Sequence, residues 1–129
     1  MDLNSILIGT DDPQRLVDYY TKVFGEPAWD EGGYTGWVLG GGSFTVGIHD
    51  QVHGPSAEPG RVIWNIESGD VRADFERLVA RGAIVVREPY GFEGTDGLIA
   101  TLADPDGNYF QLMSPMDPSD PDREVDALT

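Results

Sequence analysis

One order of elements occurs twice along this chain, and that repetition constrains the fold more than any single motif. Ser5 to Thr10 reads as a strand with Ile6, Leu7 and Ile8 at its centre. Asp11-Asp12-Pro13 then opens a helix: Asp12 caps it by accepting a backbone N–H, and proline suits the first helical position, where its missing donor costs nothing. Leu16, Val17, Tyr20, Val23 and Phe24 recur at three- and four-residue intervals and make one apolar face, and Gly25 stops the helix. Three short strands follow, around Pro27 to Glu31, Tyr34 to Leu39 and Ser43 to His49, with Gly40-Gly41-Gly42 as the turn between the last two. The stretch from Asp50 to Gly60 has no period and reads as a linker.

The order then starts again. Arg61 to Glu67 is a strand, and Asp70 caps a second helix whose apolar side holds Val71, Phe75, Leu78 and Val79 before Gly82 ends it. Ile84 to Arg87, Leu98 to Ala103 and Asn108 to Met113 are three more strands. The last two flank Asp104-Pro105-Asp106-Gly107-Asn108, a turn in which proline presets one dihedral while glycine and asparagine accept positive φ. The two helix caps lie 58 residues apart, Asp12 to Asp70. Two copies are too few for an open solenoid, and each is too small to build a good core alone, so the modules are expected to share one structure.

Alternation along the strands separates two faces. Ile6, Ile8, Phe44, Val46, Ile48, Val62, Trp64, Ile66, Phe110 and Leu112 are the uniformly apolar set, expected to pack on the helices. The opposite set mixes small, polar and apolar residues: Ser5, Leu7, Gly9, Thr45, Gly47, His49, Arg61, Ile63, Asn65, Tyr109, Gln111 and Met113. Such a face suits either solvent or a ligand pocket with a few directed polar groups.

Charge narrows the partners. The 129 residues carry 23 Asp and Glu against 8 Lys and Arg, a formal net charge of −15. That field repels phosphate backbones and anionic lipid, so neither nucleic acid nor a membrane surface is an expected partner, and a cationic or neutral ligand is attracted more easily than an anionic one. No apolar run approaches the length of a membrane span, and the start lacks the features of a signal peptide. The absence of cysteine excludes disulfides, thiolate metal sites and a cysteine nucleophile, and fits a cytoplasmic location. Residues 115–129 turn acidic and proline-bearing and read as a surface tail beyond a single domain of residues 1–114, with modules at about 3–50 and 61–114.

The run Asp11-Asp12-Pro13-x-Arg15-Leu16-x-x-Tyr19-Tyr20-x-x-Val23-Phe24-Gly25 resembles the opening of the vicinal oxygen chelate superfamily, which includes glyoxalases, extradiol dioxygenases and bleomycin and fosfomycin resistance proteins. The second helix and the hairpin Asp104-Pro-Asp-Gly-Asn-Tyr-Phe-Gln-Leu112 are similar to its second module. The resemblance implies an α+β fold of two βαβββ modules, with curled mixed sheets around a cup and the helices outside. It also implies four equivalent ligand positions for a divalent metal in the enzymes. These fall on Ser5, on Gly47 (or Val46), on Arg61 and on Gln111. Serine, glycine, arginine and glutamine do not make a divalent site, so no metal and no other cofactor are expected.

The residues expected to meet a ligand are Ser5, Trp37, Gly47, His49, Arg61, Asn65, Tyr109 and Gln111. Arg61 suits a carboxylate or phosphate clamp, or an ordinary ion pair; Gln111 suits a ligand hydrogen bond, or a neighbouring strand; His49 suits a general base, or a polar strand end. The preferred reading is a metal-independent small-molecule binder that forms a homodimer. The alternatives are a metal-dependent glyoxalase-like lyase or dioxygenase, and a metal-free enzyme with His49 as base and Arg61 as oxyanion stabiliser.

Overall fold

The computed structural model describes residues 1–91 and 93–115; the acidic tail lies outside the described residues, apart from its first position. The element order is β1 (Ile6–Thr10), α1 (Pro13–Phe24), β2 (Trp29–Glu31), β3 (Tyr34–Leu39) and β4 (Gly42–Ile48), then β5 (Trp64–Glu67), α2 (Val71–Ala80), β6 (Ile84–Gly91), β7 (Leu98–Ala103) and β8 (Tyr109–Met113). Each module makes one four-stranded mixed sheet, in the orders β1-β4-β3-β2 and β5-β8-β7-β6. The first strand of each module runs parallel to the last, and the others are antiparallel. This is the doubled βαβββ arrangement expected from the sequence, an α+β fold whose sheets stay open as a curled cup.

Both helices start where the capping residues place them. The Asp12 side chain accepts from the Arg15 backbone N–H at 3.4 Å, with Pro13 in the first turn, and Asp70 accepts from Ala73 N–H at 3.1 Å. Gly25 and Gly82 follow them with φ of 95° and 107°, conformations that cost an L-residue a Cβ clash. Leu16, Tyr20 and Val23 on α1 are fully buried, as are Phe44 and Val46 on β4 and Phe110 and Leu112 on β8, within about 2% of zero exposure. Exceptions to the alternation rule fall at strand ends. Ile48 is 66% and Val62 73% exposed, because the first is the last residue of β4 and the second precedes β5. Val79, placed by helical spacing with the buried side of α2, is 37% exposed.

Two expected boundaries move by three residues or more. The strand expected over Arg61–Glu67 begins only at Trp64, because Pro59–Arg61 forms a 3-10 turn. Strand β6 continues past Arg87 to Gly91, with two register shifts along it, the second of which spans Pro89.

A cluster of rings fills the space between the modules. Phe44 and Trp64 centroids are 4.8 Å apart, Trp64 stacks on Phe110 at 5.1 Å, and Trp37 stacks on Phe44 at 5.2 Å. Tyr20 touches Phe24, Trp37, Phe44, Trp64 and Phe110, and so joins both halves. Its hydroxyl donates to Asp104 Oδ2 at 2.7 Å, in the turn between β7 and β8. Asp104 is 2% exposed; its Oδ1 also accepts from the Asp106 and Asn108 backbone N–H groups at 2.9 and 3.0 Å. Asp106, 4% exposed, accepts from Thr10 Oγ1 at 2.6 Å and Arg15 Nε at 2.7 Å, both in the first module. Tyr19 Oη donates to Ala103 O at 2.6 Å beside them.

Burial pushes the Asp104 carboxyl above the usual carboxylate range, although Asn108 and Tyr20 bond its charged form. Burial likewise raises the Tyr20 phenol well above 10 and the Tyr19 phenol to about 12. Because the folded Asp104 binds its proton more tightly than the unfolded one, its contribution is most favourable at low pH. It weakens as pH rises from 3.8 through the raised value. The urea stability of wild type relative to Asp104→Asn is therefore expected to fall across that window. A flat difference would show that the site does not titrate abnormally. Asp106→Ala removes the acceptor of the Thr10 hydroxyl and of Arg15 Nε, while Arg15 keeps Asp11 and Asp12, and is expected to cost about 2 kcal/mol in the same measurement.

Candidate functional site

The sheets have two faces, one against the helices and one turned away. On the open face of the first sheet, three glycines are overlaid by side chains. A Cβ on Gly36 would meet Trp29 Cε2 at 2.0 Å, and one on Gly47 would meet Tyr34 Cδ1 at 2.4 Å. Each ring lies across from the glycine it covers, since Trp29 pairs with Gly36 and Tyr34 with Gly47. Gly9 is similarly covered by His49, whose Cβ would stand 2.9 Å from an added Cβ. The space that glycines open by lacking side chains is therefore taken by the protein's own rings.

The expected ligand residues do not converge. Ser5 is exposed just before β1. Trp37 is core, 2% exposed, with its indole N–H donating to Gly25 O at 2.9 Å, so it does not wall a ligand site. Gly47 lies under Tyr34. His49 follows β4 with its side chain about half exposed, and its Nδ1 accepts from Gln51 N–H at 3.2 Å. Arg61 is 73% exposed and pairs with Glu58, three residues earlier in the turn before β5. Gln111 donates from Nε2 to Thr101 Oγ1 at 3.1 Å, beside Asn65 on the adjoining strand. Tyr109 is half-buried at the start of β8.

The register also fixes which positions of the two modules are equivalent. Leu7 pairs with Thr45 as Asn65 pairs with Gln111; two residues on, Gly9 pairs with Gly47 as Glu67 pairs with Met113. Neither quartet on the open face holds more than one carboxylate or imidazole. Among the described residues, no three His, Cys, Asp or Glu side chains gather in a metal-binding group.

A hollow of about 740 Å³ lies at the seam between the modules, where the turn Gly40-Gly41-Gly42 faces the free edge of β5. Its walls are mainly apolar: Leu3, Ile6 and Leu39 on one side, Val62, Ile63, Trp64 and Ile66 on the other, with Phe44 beneath. Ser43, Asn65 and Glu67 supply the polar groups, and Glu67 is the charged residue of the lining. Of the eight residues expected from sequence, Asn65 alone borders it. Consecutive residues of β5 line it regardless of parity, because the hollow runs along a strand edge. An argument from alternating faces cannot find such a site. Trp64 Nε1 is buried without a hydrogen-bond partner among the described residues.

A glyoxalase-like domain family model matches residues 5–113. The chain belongs to that family. Among solved structures, a glyoxalase-related enzyme from Fulvimarina pelagi is 21% identical, with 91% of this chain and 93% of that one covered and a TM-score of 0.68. A glyoxalase/bleomycin resistance protein from Catenulispora acidiphila is 17% identical, covering 89% and 100%, at 0.70. An E144Q mutant of glyoxalase I from Zea mays is 26% identical and covers 86% of this chain but 44% of the maize chain, at 0.66. No curated protein matches the sequence. None of the described helices is long and apolar enough to cross a membrane.

Covering the glycines has a measurable consequence. Gly36→Ala is expected to lift the Trp29 ring off the sheet, shifting its emission to the red, and to cost about 1 kcal/mol of packing. Unchanged emission would mean that the ring does not rest on Gly36 in solution.

Proposed function

We propose that this glyoxalase-like domain protein binds a small organic molecule in the seam hollow without a metal ion. The observation that carries this reading is the hollow itself. Its volume of about 740 Å³ falls in the range of small-molecule sites, and its lining is apolar with a few polar groups. The lining carries one acid and no base, so the ligand is neutral or cationic. The half-buried Trp64 offers apolar surface to a planar body, and Asn65 and Ser43 offer hydrogen bonds at its edge.

The side chains at the family's metal positions support independence from metal. Ser5, Gly47, Arg61 and Gln111 include one fixed cation and no carboxylate or imidazole, and moving along the paired strands recovers no ligand set. The metal-dependent lyase or dioxygenase finds no donor cluster to build on among the described residues. The metal-free enzyme with His49 and Arg61 as partners is disfavoured because each is turned to a local contact, Gln51 N–H and Glu58.

Pairing of two copies belongs to the same reading. β1, β2, β5 and β6 are sheet edges without a second neighbour among the described residues, and a second copy would cover some of them. Sedimentation velocity is expected to give twice the monomer mass; a monomer at all concentrations would remove this part.

The binding test uses thermal shift and calorimetry with a panel of neutral and cationic heteroaromatic fragments, with and without chelator. Wild type is expected to bind members of the panel equally well in chelator, and Ile63→Trp, which fills the hollow from the residue before β5, is expected to lose that binding. Glu67→Gln is expected to weaken cationic members about fivefold and to leave neutral ones unchanged. Binding that survives Ile63→Trp, or that vanishes with chelator, would overturn the reading.

A further inference from the structure

Strand β6 is the irregular member of the second sheet, and its irregularity has a direction. Register shifts interrupt its pairing with β7 between Val85 and Arg87 and again between Arg87 and Tyr90. An unbroken ladder from the Val85↔Leu102 pair would set Arg87 opposite Ala100, which is fully buried on the helix-packed face. The first shift sets it opposite Thr101 instead, on the open face. Continued unbroken from there, the ladder would bring Pro89 opposite Ile99; the second shift brings Tyr90 there. Bulges that turn a side chain to the other face are characteristic of sites as well as of strand ends. Here two of them turn a cation and an aromatic ring to the same side, and the Arg87 guanidinium carbon lies 3.5 Å from the Tyr90 ring centroid.

The register extends this pair into two rows across the sheet. Arg87 stands beside Thr101, Thr101 beside Gln111, and Gln111 beside Asn65. Thr101 is buried, and its hydroxyl accepts from Gln111 Nε2 at 3.1 Å. The neighbouring row is Tyr90, Ile99 and Met113, three partly buried side chains with apolar bodies. Arg15, Arg61 and Arg77 each bond a carboxylate of this acidic chain. No carboxylate among the described residues lies within ion-pair distance of Arg87. A guanidinium held over a ring and bonded to no carboxylate keeps N–H donors for a ligand, and its planar fork matches the two oxygens of a carboxylate.

We propose that Arg87 anchors a carboxylate-binding site on the open face of the second sheet, taking an aromatic or aliphatic carboxylate whose apolar body lies along Tyr90, Ile99 and Met113. This site is separate from the seam hollow and does not depend on its being filled. Arg87 is three strands from β5, roughly 14 Å at ~4.8 Å per strand. The net charge of −15 opposes an anion at long range. That field is screened beyond about 8 Å at physiological ionic strength, so the bidentate contact decides binding.

The test is a titration of the full chain with benzoate, read by ¹H–¹⁵N NMR at the Arg87 Nε–H and the Thr101 amide, with benzamide as the uncharged control. Saturable shifts at both groups with benzoate, and none with benzamide, are expected. Arg87→Lys keeps the charge and loses the fork, and is expected to weaken benzoate about tenfold. Arg87→Gln is expected to abolish the response at the Thr101 amide. Ile63→Trp, which fills the seam hollow, is expected to leave benzoate binding intact, so failure of one site is distinguishable from failure of the other. Equal shifts with benzamide, wild-type affinity in Arg87→Gln, or no saturable shift with benzoate would each overturn the proposal.

Discussion

Two buried carboxylates in one turn hold the modules in register, and the rest of the core is arranged around them. Asp104 is bonded by the backbone of its own turn and by the Tyr20 hydroxyl; Asp106 is bonded by Thr10 and Arg15. Both partners of Asp106 belong to the first module while the carboxylate belongs to the second. The arrangement withdraws charge from water at a cost that shows in the raised pKa of Asp104. In return it fixes the orientation of Tyr20, the ring that touches Phe44 and Trp37 from one module and Trp64 and Phe110 from the other. Apolar burial supplies most of the stabilisation, but it is non-directional and would tolerate sliding of one sheet past the other. Directed bonds to buried charge do not.

With the sheets fixed in this way, the two faces divide by chemistry. The helix-packed face is closed by rings. On the open face, the first sheet covers its own glycines with Trp29, Tyr34 and His49, while the second keeps a polar row ending in Arg87. The seam between them is where neither sheet can complete itself, since β1 and β5 are both edge strands there. A hollow in that place follows from doubling a module whose first strand has one neighbour.

Much of the fold was legible in the sequence because it is written in local chemistry. The caps Asp12 and Asp70, the stops Gly25 and Gly82, the glycine turn at residues 40–42 and the turn at residues 104–108 act within a few residues of themselves. Strand alternation assigned the buried face correctly at Ile8, Phe44, Val46, Phe110 and Leu112, which lie within their strands. It failed at Ile48 and Val62, which lie at or beyond strand ends, where alternation no longer tells inside from outside. The candidate site was much less legible. Trp37 read as a ligand wall but its indole N–H meets Gly25 O; Arg61 read as a strand residue but sits in a turn with Glu58.

By itself the sequence determined the repeat, the element order and the buried stripe. Each of these depends on residue identity and short-range spacing. Only the tertiary structure decided that the glycine gaps on the first sheet are occupied by rings, that the open volume lies at the module seam, and that Arg87 faces away from the core. Those outcomes depend on how two sheets meet and on where a strand slips by one residue. A one-residue slip reverses every side chain beyond it, and nothing in the local sequence of β6 states on which residue the slip falls.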